Sequence, residues 1–126
     1  MNRNDDRDAI DLMHLMGHLY LKSGQTQRGM VLLLIAVRMA PRHTGILRAL
    51  CHGFLAEGNA RRALNIIEHL EALSEADPTL SLLKSRAHLV SDDRDLARQS
   101  YREYITQKDT HDRQHESHSR SFLHHE

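Results

Sequence analysis

Cysteine occurs once in the 126 residues, at Cys51, so the chain closes no disulfide on itself. Tryptophan is absent and aromatic residues make up only 4%. Net charge is also missing: 17 Lys and Arg balance 17 Asp and Glu. That excludes a partner held chiefly by bulk charge, such as a nucleic-acid backbone or an anionic membrane, and leaves room for a local basic patch. No apolar run approaches the roughly 18 residues of a membrane-spanning helix. The opening residues, MNRNDDRDAI, lack the apolar core of a signal peptide. A reducing cytoplasm is therefore the expected compartment. Proline (2) and glycine (6) are scarce. With few breakers and many Leu, Ala and Arg, the composition favours helices over a sheet in one domain.

What the chain does have is a period. At an offset of 34 residues, Leu12, Ile46 and Leu80 align. So do Tyr20, Phe54 and His88; Leu21, Leu55 and Leu89; Gly24, Gly58 and Asp92; Gly29, Ala63 and Ala97; Leu33, Ile67 and Tyr101. A repeat of this length marks stacked supersecondary units. Each unit reads as two helices joined by a tight turn. The first helix carries Leu12, Met13, Met16, Leu19 and Tyr20 on one face and ends at Gly24. The second, about 26–40, is apolar nearly all round, so it is expected to be sandwiched between neighbours before Pro41 stops it. Asn59 is the expected N-cap of the fourth helix, and Asp77-Pro78 opens the fifth. Asp92 takes the turn position of Gly24 and Gly58, where Asp is tolerated better than most residues. Glu75 stands where a stopping proline is expected, so the helix before Pro78 is expected to run longer.

These columns resemble the tetratricopeptide (TPR) motif. The first unit supplies Met13, Met16, Gly17, Tyr20, Gly29, Leu33, Ala36 and Pro41. The second supplies Leu47, Leu50, Cys51, Phe54, Ala63, Ile67 and Leu70. The third, with Ser81, Lys84, Ser85, His88, Ala97, Tyr101 and Tyr104, is degenerate, as terminal repeats often are. The expected fold is all-α: three TPR hairpins at 10–43, 44–77 and 78–111, in a short right-handed superhelix with a concave groove. A polar lead (1–9) and a His-rich, disordered tail (112–126) are expected to flank it. The small residues let paired helices cross closely, and the large ones fill the space beside the crossing.

The resemblance implies that first helices line the groove. Its floor would be Leu21, Leu55, Leu82 and Leu89, and its rim His14, His18, His52, Arg48 and Arg86. Asp11, Gly45 and Thr79 complete the facing positions. Such a surface suits an amphipathic helix or extended peptide, although packing by the chain's own termini is the plain alternative. The carboxylate clamp of cochaperones that hold acidic C-termini is absent: its positions carry His14, His18, Ala49, Thr79 and Leu83.

A chain of three such units is similar to the small TPR chaperones of bacterial type III secretion, the YscY (SctY) family. The residues that carry this are GHLYLKSGQTQRGMVLL and KSRAHLVSDDRDLARQSYREYITQKD, within about 8–110. The resemblance implies a cytoplasmic chaperone rather than an enzyme. It would stabilise a small exported partner (YscX-like) in a heterodimer or larger hetero-complex and present it to the export gate (YscV-like). A needle-subunit chaperone (YscG-like) and a generic TPR scaffold are the alternatives.

Other sites carry less. His111, His115, His118, His124 and His125 crowd the tail, and the first three would fall along one helix side. The segment is too polar to order itself, so no metal is expected there. His14 and His18 lie four apart, and charging near pH 6 would make the groove more basic. Cys51 reads as an inert buried thiol. No HExxH, phosphate loop or GxSxG appears, so neither catalysis nor a cofactor is expected.

Overall fold

The computed structural model describes the backbone of residues 3–73 and 77–123, and the side chains of 4–73 and 77–114. Among these residues every regular element is an α-helix: α1 (Arg3–Lys22), α2 (Thr26–Met39), α3 (Thr44–Ala56), α4 (Ala60–Leu73), α5 (Pro78–Val90) and α6 (Arg94–Leu123). The all-α expectation is met.

The helices pair in order, α1 with α2, α3 with α4 and α5 with α6. Each pair is joined by the same turn. Gly24, Gly58 and Asp92 have φ of 82°, 76° and 60°, the left-handed region. Past each, an amide donates to a carbonyl five residues back at 2.8 Å: Gln25 to Tyr20, Asn59 to Phe54 and Asp93 to His88. This is a Schellman closure of the helix C-terminus. Asn59 and Asp93 then cap the next helix, accepting from the amides of Arg62 and Leu96 at 3.2 Å. Asp92 alone holds the left-handed conformation with a Cβ. Asp92→Gly is therefore expected to raise stability by about 0.5–1 kcal/mol in urea unfolding; an unchanged or lower value would show that the aspartate side chain stabilises the turn.

Within each pair the crossing repeats too. A Cβ on Gly17 would lie 3.2 Å from the Gly29 carbonyl oxygen. One period on, the Cys51 thiol donates to the Ala63 carbonyl at 3.8 Å. At the third, the Ser85 hydroxyl donates to the Ala97 carbonyl at 2.8 Å. The small residue of the first helix thus sits on the backbone of the second in all three pairs.

Leu33, Ala36, Ile46, Leu50, Ile67 and Leu70 form the centre of the core. α2 departs from expectation. It buries only Gly29, Met30, Leu33 and Ala36, while Val31, Leu34, Ile35 and Met39 are exposed. It is packed between α1 and α3, but these leave its outer face uncovered, and no contact between α2 and α4 exists among the described residues. Met16 and Tyr101, expected in the core, are exposed because they lie at the two ends of the stack.

Both ends are more helical than the sequence suggested. Residues 3–9 are the opening turns of α1, where Asp5 and Asp6 favour the helix dipole. α6 continues through Leu123, so 112–123 are helical where disorder was expected. No Gly or Pro interrupts that stretch, and propagation costs less than nucleation. The expected lengthening of α4 at Glu75, and the side chains of His115 onward, lie outside the described residues.

Candidate functional site: a cavity between the first helices

First helices touch across pairs, α1 with α3 and α3 with α5. Second helices do not touch one another among the described residues. The first helices therefore form the inner wall of a curved stack. Between α1, α3 and α5 lies an open cavity of about 570 Å³.

Six of the nine residues expected at the groove line it: His18, Leu21, His52, Leu55, Arg86 and Leu89. Three do not. His14 packs edge-on against His43, with ring centroids 5.2 Å apart. Arg48 is committed to a structural bond. One guanidinium nitrogen pairs with the Asp77 carboxylate, and another donates to the Thr79 hydroxyl at 2.9 Å. Arg48 thus ties α3 to the start of α5, where Asp77 also accepts from the Thr79 amide at 3.0 Å as N-cap. Leu82 is half-buried and outside the cavity lining.

The sequence reading missed Lys22, Ala49, Ala56 and Val90. Three of these share one column, since Lys22, Ala56 and Val90 are 34 apart. Each lies one helical turn beyond His18, His52 and Arg86. Extending those rows by four residues would have found them. The cavity thus lies toward the C-terminal ends of the first helices. His14, Arg48 and Leu82, one turn before His18, His52 and Arg86, fall away from it.

The lining has a consistent character. Leu21, Leu55, Leu89 and Val90 supply apolar surface, Lys22 and Arg86 supply positive charge, and no carboxylate lines it. Leu55 is 8% exposed and belongs to the core, whereas Leu89 is 59% exposed. The floor is therefore a structural leucine and the rim an available one.

Burial lowers the pKa of His52, and the positive charges of Arg86, His18 and Arg48 add to the effect. His14 is lowered as well, mainly by burial and then by His43 and His18, against the opposing influence of Asp11 and a backbone hydrogen bond at Gly45. The shift at His14 runs against the expectation that it charges near pH 6. The effect of both shifts on stability is a matter of sign. A histidine with a lowered folded pKa binds its proton more readily when unfolded. Its contribution is intact above the ordinary value of 6.5 and is lost as pH falls through the folded pKa. Asp77 acts further into acid. Burial opposes its ionisation, but hydrogen bonds from Thr79 and Arg48 and the guanidinium charge outweigh this and hold its carboxyl below the usual range. The thermal midpoint is expected to stay level between about pH 8 and 7 and to fall below about 6.5. In His52→Gln the first part of that fall should be shallower; an identical slope would show that His52 is not its source.

Burial pushes the Cys51 thiol up to about 11, with Arg86 and Arg48 opposing. At neutral pH it is protonated and enclosed. Among the described residues no group of three His, Cys, Asp or Glu side chains could hold a metal ion, and no helix is long and apolar enough to cross a membrane.

No protein-family model matches the chain, and no curated protein does.

Proposed function

We propose that this chain is a TPR-type binding protein that acts as a type III secretion chaperone. It holds an amphipathic helix of a small exported, YscX-like partner between its first helices, and the pair engages a YscV-like export gate from the bacterial cytoplasm. The observation that carries the binding role is the open cavity on the inner wall, apolar below and cationic at Lys22 and Arg86. An amphipathic helix with acidic flanks matches it in shape and charge. The secretion role rests on the resemblance of the two segments within about 8–110. In this reading the chaperone buries apolar partner surface, consumes no nucleotide and carries out no reaction.

Co-expression in a neutral host tests it. A soluble, stable complex with a YscX-like protein is the expected result, retained when 112–126 are deleted. Capture of the needle subunit instead would favour a YscG-like role. Failure with both, in the presence of a correctly folded chain, would leave a scaffold outside secretion.

A further inference from the structure

The two ends of the stack are shaped for each other. The columns Leu12, Leu15 and Leu19 of α1 correspond at 34 residues to Ile46, Ala49 and Gly53, and at 68 to Leu80, Leu83 and Ala87. All six of those counterparts are buried, in helices that seat on the pair before them. Leu12, Leu15 and Leu19 are exposed at 59%, 56% and 53%. α1 thus carries the face of a helix that docks on a preceding pair, and nothing among the described residues covers that face. Terminal repeats ordinarily carry a polar outer face for solubility.

The opposite end has the vacant seat. A cavity of about 390 Å³ opens between α5 and α6, with Leu89 and Tyr101 on its walls and Arg94, Arg98 and Arg102 around it. Shifted back by 34, Leu89 and Tyr101 become Leu55 and Ile67, both buried where α5 packs on the pair before it. In α6, Tyr101 is 49% exposed, because no helix among the described residues covers it.

We infer that a second copy of this chain fills the seat: α1 of one molecule docks, head to tail, on the α5–α6 end of another and continues the stack. The register is that of the internal junction, where Met30 of α2 presses on Gly53 of α3. The same spacing sets the stem of Arg98 beside Leu19 of the next copy, and Tyr101 and Ile105 along Leu15 and Leu12. Arg98 and Arg102 have no acidic partner among the described residues, and no carboxylate lines the cavity. In this register the aspartates of residues 4–11 run past the cavity toward Asp109 and Asp112, so the contact is held by its apolar columns and not by charge. Such a contact is heterologous and does not close, so it builds short chains whose length depends on concentration. This inference does not rest on the proposed chaperone role.

Sedimentation of the full chain from about 1 to about 100 µM tests it through mass action. Wild type is expected to associate increasingly across that range. Leu15→Glu, which disables the head, and Tyr101→Glu, which disables the tail, should each be monomeric. Mixed in equal amounts, they should form a dimer and stop there, because one intact head meets one intact tail. Leu12→Glu and Arg98→Glu serve as second variants should either first choice lose its helical circular dichroism. Wild type that stays monomeric throughout overturns the inference. So does a Tyr101→Glu protein that still associates, which would indicate symmetric α1–α1 pairing, and so does a mixture of well-folded variants that remains monomeric.

Discussion

Leu33→Ala is expected to lower the free energy of unfolding by about 3–4 kcal/mol. Leu33 is fully buried in α2 and lies over Gly17, where a Cβ would come within 2.7 Å of its Cγ and 2.9 Å of a Cδ. Gly17→Ala should therefore destabilise as well, by about 1–2 kcal/mol, even though alanine is the better helix former. The two changes share one space. Removing the leucine frees the volume that the new methyl needs, so the double variant should recover about 1 kcal/mol relative to the sum of the singles. Urea unfolding of the four proteins measures this directly. Strict additivity would mean that the close crossing of α1 and α2 is not where the strain falls.

Leu89→Asp should weaken capture of a YscX-like partner by at least about tenfold, or 1.4 kcal/mol, with little change in thermal midpoint. Leu55→Asp should do something different. Sequence reasoning treats Leu55 and Leu89 as equivalent, since they occupy one column, and expects either substitution to spare the fold. The structure separates them. At 8% exposure, Leu55 belongs to the core. A carboxylate there loses apolar packing and much of its hydration, so unfolding rather than selective loss of binding is expected. Leu89 also faces the cavity at the C-terminal end of the stack. Val90→Asp, on an exposed residue that lines the inner cavity alone, is therefore the companion variant. Val90→Asp with full partner affinity, measured by calorimetric titration, would place the binding surface elsewhere.

The contrast between these leucines explains how much of the site was legible. Periodicity identifies which residues share a column, and hence that His18, His52 and Arg86 face the same way. It does not say how deep each lies. Depth depends on whether another helix packs over the residue: α5 covers the end of the pair holding Leu55, while nothing among the described residues covers the corresponding end at Leu89. Nor does periodicity reveal competition for a side chain. Arg48 has the charge and the register of a groove residue, yet it serves Asp77 and Thr79 at the α3–α5 junction.

Local chemistry was determined by the sequence alone. The turns at Gly24, Gly58 and Asp92 need a left-handed residue, and the crossings at Gly17, Cys51 and Ser85 need small ones. Both demands arise within about one helical turn or one hairpin of the residue concerned, so they repeat wherever the residues repeat. The tertiary structure decided what the ends of the stack expose. Leu12 and Leu80 are interchangeable as letters in a column, but one lies bare at an end and the other is covered at a junction, because burial is a property of neighbours rather than of the chain that carries them.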